Sequence, residues 1–76
     1  MITKEQLRMA RAALGWGVRD LAERAGVTPN TISRIENGAD ALGSTSQKIQ
    51  GALEAAGVIF IAENGEGPGV RLKKTP

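Results

Sequence analysis

Glycine residues divide the first half of this chain into short segments, each long enough for about three helical turns at most. Gly15-Trp16-Gly17 and Gly26 interrupt a pattern that is otherwise typical of helices. Glycine is unfavourable inside a helix and common just past its end. The 76-residue chain has no cysteine, so disulfides cannot stabilise it. The spacing therefore predicts short helices packed around one small core.

Three helices are predicted before residue 39. The first covers Lys4–Leu14 with Thr3 as its N-cap, and its apolar residues recur every three or four positions: Leu7, Met9, Ala10, Ala13 and Leu14. The second covers Val18–Ala25 and ends at Gly26. The third has Thr28 as its N-cap and Pro29 in its first position, and it runs to Glu36 or Asn37, where Asn37-Gly38 closes it.

A loop is predicted over Ala39–Gly43, followed by a helix capped by Ser44 or Thr45 and ended by Gly57. Its inward residues are Ile49, Ala52, Leu53 and Ala56. The pattern then changes to strand-like runs, 58–62 and 70–73, separated by the turn-rich segment 63–69. The predicted fold is mainly α, with four to five helices and a C-terminal β-hairpin.

Composition excludes several classes of function. The chain has no histidine, so Ser33, Ser44 and Ser46 have no imidazole base to activate them, and we expect no enzyme, no metal site and no cofactor. The net charge of +2 is a mild indication of an anionic partner. No apolar run is long enough to span a membrane, and the N-terminus is unlike a secretory signal, so we expect a cytoplasmic protein. The glycines of 63–69 fit neither common phosphate-binding spacing, which favours a plain turn.

The segment from Val18 to Glu36 reads as two short helices joined by a tight turn. Val27, Ile32 and Ile35 form an apolar inner side of the second helix. Small polar side chains and one arginine project from its other side, namely Pro29, Asn30, Ser33 and Arg34. A face of this kind suits the major groove of DNA, which is about 12 Å wide and presents hydrogen-bond donors and acceptors.

On these residues the chain resembles the Xre-type family of lambda-repressor and Cro-like helix-turn-helix regulators. The matching stretches are Leu14-Gly15-Trp16, Asp20-Leu21-Ala22, Ala25-Gly26-Val27 and Thr31 to Gly38. The resemblance covers roughly residues 4–56. It implies a lambda-repressor-like domain that binds double-stranded DNA sequence-specifically, usually as a dimer, and controls transcription.

The resemblance also assigns contacts. It places base-reading positions at Pro29, Asn30 and Arg34, and positions near phosphates at Thr28, Thr31 and Ser33. Asn can bond adenine and Arg can bond guanine through two hydrogen bonds, whereas proline can only touch a thymine methyl or set the helix start. The family usually begins its first motif helix with Ser or Thr and then Gln, but here Gly17 and Val18 stand there. Arg19 or the free N–H groups of that helix start are expected to take the phosphate instead.

Two further residues leave alternatives open. Arg11 and Glu36 occupy positions that often form an ion pair in the family, with two solvated charges as the alternative. Trp16 is the only tryptophan, and it is expected to cover the edge of the core, with base stacking as the alternative.

The C-terminal strands suggest a second surface. Residues 1–57 are predicted as the DNA-binding domain, and 58–76 as a dimerisation hairpin and tail. Because both faces of the first strand are apolar, we expect a homodimer with a shared sheet, which would place two recognition helices roughly 34 Å apart. The expected interface residues are Val58, Ile59, Phe60, Ile61, Val70 and Leu72. A hairpin that stays within one chain is the alternative.

Two functions follow from these patterns. The first is a small dimeric repressor that binds double-stranded DNA. The second is a protein-interaction module, such as an antitoxin, whose hairpin binds a protein partner.

Overall fold

The computed structural model describes residues 2–74, which form four helices followed by a two-stranded antiparallel sheet. The helices are α1 (Lys4–Leu14), α2 (Val18–Ala25), α3 (Pro29–Glu36) and α4 (Gly43–Ala55), and the strands are β1 (Val58–Ile61) and β2 (Gly69–Leu72). The predicted fold class is thus confirmed for four helices and a hairpin, and a fifth helix is not found within these residues.

The bounds predicted for the first three helices are confirmed. They were predictable because hydrogen bonds between neighbouring residues determine where these helices begin. The Thr3 hydroxyl accepts from the Gln6 N–H at 3.0 Å, while the Gln6 side-chain oxygen accepts from the Thr3 N–H at 2.9 Å. This reciprocal pair satisfies two amides at the start of α1. At the start of α3 the Thr28 hydroxyl accepts from the Thr31 N–H at 3.2 Å, and Pro29 occupies the first helical position.

The predicted start of α4 is wrong. The helix begins at Gly43, before Ser44 and Thr45, and its first turn is closed by the Leu42 carbonyl, which accepts from the Thr45 N–H at 2.9 Å. Ser46 is buried together with Ile49 and Leu53, which follow it by three and seven positions. Packing of this stripe on the core, not a capping side chain, therefore sets where α4 begins.

The core contains one or two large aliphatic side chains from each helix. Leu7, Leu21, Ile32, Ile49 and Leu53 are the largest fully buried side chains, and the cluster also includes Val58 from β1. Val58 extends the helical core under the hairpin, so the sheet packs directly against α1 and α4.

Two residues of the predicted apolar stripe of α1 lie outside the core. Met9 is 37% exposed and Ala13 is also exposed, whereas the polar Gln6 is only 4% exposed. The inward direction of α1 is centred on Leu7 and Ala10, and at 100° per residue Met9 lies too far around the helix to share it.

The hairpin pairs within one chain, with Val58 opposite Leu72, Ile59 opposite Arg71, Phe60 opposite Val70 and Ile61 opposite Gly69. The strands were predicted as 58–62 and 70–73, so each is confirmed to within one residue at either end. Val58, Phe60 and Val70 pack against the core. Because side chains alternate along a strand, Ile59 and Ile61 lie on the outward face.

The connection between the strands is ordered by one carboxylate. Glu63 accepts from the N–H groups of Gly65 and Gly67, both at 2.7 Å. Both bonds lower the pKa of Glu63 below its ordinary value of 4.5, and the bond from Gly67 has the larger effect. The segment is therefore a turn closed by its own side chain, in agreement with the plain turn that was predicted.

Membrane insertion was not expected from the sequence. Across residues 2–74, no helix combines the length and the apolar character needed to cross a bilayer.

Candidate nucleic-acid interface

A glycine turn sets the relation between α2 and α3. Gly26 has φ of +73°, a left-handed conformation that side chains disfavour, and the following Val27 N–H donates to the Ala22 carbonyl at 3.0 Å. Val27 packs against the core immediately before Thr28 begins α3. The chain therefore reverses within a few residues, and α3 is held on the body by its inner side.

The two sides of α3 differ as predicted. Ile32 is completely buried and Ile35 packs against the core from a half-buried position. On the opposite side, Asn30 and Arg34 are exposed and lie four positions apart, so they are neighbours on one face of the helix. This face is free to meet a surface outside the chain.

The remaining predicted positions lie around this pair. Thr28 and Pro29 are exposed at the start of α3, whereas Thr31 and Ser33 are half-buried at its flanks. The Thr28 and Thr31 hydroxyls are 2.9 Å apart and share one hydrogen bond. One of these two hydroxyls keeps a hydrogen that it can donate to another acceptor.

Asn37 was missed as a candidate site residue. It is exposed and lies seven positions after Asn30, hence on the same side of α3. In the sequence it stood out only as part of Asn37-Gly38, which closes the helix. Its three-residue spacing from Arg34 could have identified it.

A charged network holds the last turn of α3. Arg11 donates from Nε to Glu36 Oε2 at 2.6 Å and from Nη2 to Glu36 Oε1 at 2.8 Å, and it also donates to the Trp16 carbonyl at 3.0 Å. The Glu36 side chain is 9% exposed and that of Arg11 is 22% exposed. The structure therefore selects the ion pair over the two solvated charges. The bond to Glu36 raises the pKa of Arg11 above its ordinary value.

A second arginine contacts the same residue. Arg8 donates to the backbone carbonyl of Glu36, one of the helix-end carbonyls that have no partner within α3. Its side chain is 51% exposed. Just beyond, Gly38 at φ +106° and the Ala39 N–H, which donates to the Arg34 carbonyl at 2.9 Å, complete the end of α3. Several bonds thus fix the direction of the helix that carries Arg34.

Trp16 lies at the edge of the core, as predicted. Its ring is half-buried, packs against the core cluster and has the Arg24 guanidinium 4.9 Å from its centroid. That distance is within the range of a cation–π contact. Its ring is thus engaged by Arg24 and by the core, which is the covering position predicted for Trp16.

The start of α2 differs in part from expectation. The Gly17 N–H is not free, because it donates to the Asp20 carboxylate at 2.7 Å. Val18 packs against the core, so its side chain is unavailable to a phosphate, whereas Arg19 is exposed. Asp20 also places a negative charge at a helix end that otherwise attracts anions. In the sequence Asp20 stood out only as part of the matching stretch Asp20-Leu21-Ala22.

The predicted interface residues of the hairpin fall into three groups. Val58 is 3% exposed and lies in the core of its own chain, so its side chain cannot contact a second chain. Phe60, Ile61 and Val70 are half-buried. Ile59 and Leu72 are 43% and 46% exposed, so they are the two residues of this set that a second chain could reach most readily.

Gln6 joins the helical body to the hairpin, a role that no pattern in the sequence indicates. Its side-chain amide donates to the Ile61 carbonyl at 3.0 Å and to the Gly69 carbonyl at 2.9 Å. Ile61 and Gly69 are paired across the sheet. One buried amide therefore ties both strands to α1 at the turn end of the hairpin.

Comparison with known proteins agrees with this geometry. Residues 5–58 match the protein family described as a helix-turn-helix domain. Over 62 residues the chain is 37% identical to a protein of Archaeoglobus fulgidus named "Putative HTH-type transcriptional regulatory protein". The alignment includes 82% of this chain but 19% of that protein, so the chain spans about a fifth of its relative's length. With a tight glycine turn, a buried inner side of α3 and a family match over most of its residues, the chain belongs to the helix-turn-helix domain family.

Proposed function

We propose that the chain binds double-stranded DNA sequence-specifically by placing α3 in the major groove. The observation that carries this proposal is the exposed pair Asn30 and Arg34 on a helix whose other side is buried and whose last turn is fixed by Arg11. A rigidly held helix loses little freedom on binding, so its side chains can discriminate between bases.

Direct reading of bases is assigned to Asn30 and Arg34. An asparagine can bond adenine N6 and N7 together, and an arginine can bond guanine O6 and N7 together. Pro29 would touch a thymine methyl, since it has no donor. Asn37 extends the same side of α3 by two turns from Asn30.

Phosphate contacts are assigned to residues at the flanks of this face. Thr28, Thr31 and Ser33 present hydroxyls beside α3, and the exposed Arg19 presents a guanidinium near the start of α2. Val18 can contribute only its backbone N–H, because its aliphatic side chain has no hydrogen-bond donor and packs on the core. Asp20 opposes a phosphate at this helix end, so Arg19 is the main contact there.

Within the helix-turn-helix family we place the chain in the Xre-type group, and we propose that it acts as a homodimeric repressor in the cytoplasm. The Arg11–Glu36 pair supports that group, because the resemblance places an ion pair at these two positions. Occupation of an operator is itself sufficient to exclude other proteins from the same DNA, so repression needs only binding. A two-fold dimer would read the two half-sites of a palindrome.

Selection of bound fragments from a random duplex library, followed by titration of the selected duplex at several salt concentrations, tests this proposal. We expect a palindromic site. We also expect the logarithm of the association constant to fall linearly with the logarithm of the salt concentration, with a slope of about −0.9 for each phosphate that the protein neutralises. Arg34→Ala should cost about 1–3 kcal/mol on the selected site and relax the preference at one base pair.

Arg24→Ala is the matched control, because Arg24 is also exposed but contacts Trp16 instead of lying on α3. It should change the affinity much less. An equal loss for both variants on every duplex would mean that Arg34 adds only charge and does not read a base.

A protein-interaction module, such as an antitoxin, is the second candidate function. Two features favour it. The outward isoleucines of β1 form an apolar contact surface, and Asp20 at the start of α2 repels a phosphate there. Absence of any selected duplex, together with a monomeric chain, would favour this candidate over the first.

A further inference from the structure

The hairpin has two outer edges that could pair with another strand. Within residues 2–74 the sheet contains only β1 and β2. The Lys73 N–H donates to the Gly57 carbonyl at 2.6 Å, and in an antiparallel pair the hydrogen-bonded residues alternate. The backbone groups of Ile59 and Ile61 therefore point toward β2. Those of Val58 and Phe60 point outward from β1.

The two edges differ in how they are protected. β2 follows Pro68, carries Arg71 and continues into Lys73 and Lys74, and proline and positive charges are the residues that prevent strand edges from associating. β1 and the residue after it read Val-Ile-Phe-Ile-Ala, without a charge or a proline. The edge of β1 is thus the one suited to pairing.

A groove opens on the inner side of the hairpin, next to Phe60 and Ala62 of the β1 segment. The groove of about 270 Å³ lies between the start of α1, α4 and the hairpin. Its lining includes Ile2, Gln50, Phe60 and Ala62. A second aromatic ring can enter here next to the half-buried ring of Phe60, and aromatic pairs in contact are favourable.

We propose that the β1 strands of two chains pair antiparallel about a two-fold axis at Phe60, forming a four-stranded sheet in the order β2, β1, β1 of the partner, β2 of the partner. This rests on the proposed homodimer and specifies its interface. In this register Ile59 of each chain lies opposite the partner's Ile61, so four isoleucines form two cross-strand pairs on the outward face.

Charge complementarity supports the same register. Gly57 lies opposite the partner's Glu63, while Lys73 lies beside Gly57 within its own chain. Lys73 and the partner's Glu63 are then two strand spacings apart, roughly 10 Å between Cα atoms. A Cβ added to Gly57 would lie 3.8 Å from the Lys73 Cβ, and because glycine has no side chain there, the lysine can extend across it. Within its own turn Glu63 uses Oε1 to accept from Gly65 and Gly67, so Oε2 is the oxygen that would face the partner's Lys73, and the two-fold axis repeats this contact.

Cysteine cross-linking without DNA tests the register, because the natural chain has no cysteine to compete. Residues 59 and 61 of different chains would have Cα atoms about 4.5 Å apart, within the range of a disulfide. Residue 59 and its own copy would be about 7–8 Å apart, which is too far. An equimolar mixture of Ile59→Cys and Ile61→Cys chains should therefore form a covalent dimer on mild oxidation. Each variant alone should form much less.

Self-cross-linking of either variant as fast as the mixture would overturn the proposed register. Cross-linking of Leu72→Cys in preference to the mixture would place the interface on β2 and overturn the choice of edge. A natural chain that stays monomeric in light scattering at high micromolar concentration would overturn the pairing itself and leave the outward isoleucines to a partner protein.

A pair of lysine substitutions gives a second, independent measurement. Ile59 and Leu72 are similarly exposed, so a lysine at either position is compatible with a folded chain, as circular dichroism can verify. Ile59→Lys should weaken dimerisation about tenfold or more, because the two-fold axis doubles each lost contact, whereas Leu72→Lys should weaken it less than about threefold. Equal effects would contradict the proposal.

These readouts separate strand pairing from DNA binding. A chain that dimerises and cross-links as described but selects no duplex would leave the interface intact and refute the DNA proposal. A chain that binds a selected duplex as a monomer would leave the proposed DNA binding intact and refute the strand pairing.

Discussion

Removal of the Arg11 side chain should strongly destabilise the fold while leaving the DNA-facing side of α3 chemically unchanged. Arg11→Ala deletes two charge-assisted bonds to Glu36 and one bond to the Trp16 carbonyl. The Glu36 side chain is 9% exposed, so the variant leaves a nearly buried carboxylate without its main partner. Loss of one partner of a buried ion pair costs about 3–5 kcal/mol.

Two features of the structure place the expected loss near the lower end of that range. Arg11 itself is 22% exposed, and Arg8 approaches within 4.0 Å of Glu36 Oε1, so water and a second cation compensate part of the lost charge. We expect a loss of about 3 kcal/mol in the free energy of unfolding. At about 4–8 °C per kcal/mol for a domain of this size, the melting temperature should fall by roughly 12–24 °C.

Urea unfolding followed by circular dichroism measures this loss, with Arg8→Ala as the matched control. Both arginines contact Glu36, but Arg8 is 51% exposed, so its removal should cost less than about 1 kcal/mol. Similar small losses for the two variants would show that solvent screens the Arg11–Glu36 pair and would refute the reasoning from burial.

Three further predictions concern other contacts. Gln6→Leu should cost about 1–3 kcal/mol and increase hydrogen exchange in the hairpin, because the Ile61 and Gly69 carbonyls each lose one donor and the Thr3 N–H loses its acceptor. Asp20→Asn should raise DNA affinity by removing a charge beside the phosphate, while Glu23→Gln, also exposed on α2, should change it less. Hydrogen bonds, first that from Gly67, lower the pKa of Glu63. The ionised carboxylate should therefore stabilise the fold above the ordinary pKa of 4.5, and this stabilisation should disappear as the pH falls through the lowered pKa. Melting temperatures measured against pH should show this loss in the natural chain and a smaller one in Glu63→Gln.

Much of the candidate site was predictable because local chemistry determines it. The outward positions of Asn30 and Arg34 follow from helical periodicity once Ile32 is assigned to the core. Asn37 could have been found from the same periodicity. The role of Asp20 was less accessible, since whether its carboxylate meets a phosphate or the Gly17 N–H depends on the conformation at the helix start.

The sequence alone determined the bounds of α1, α2 and α3 and the outward face of α3, because capping and helical periodicity act between residues three or four positions apart. Only the tertiary structure decided the burial of Gln6, whose acceptors lie 55 and 63 positions away. It also decided that Arg11 and Glu36, which are 25 positions apart, form an ion pair and are not two solvated charges. Such contacts depend on which surfaces exclude water after packing, and a one-dimensional pattern does not contain that information.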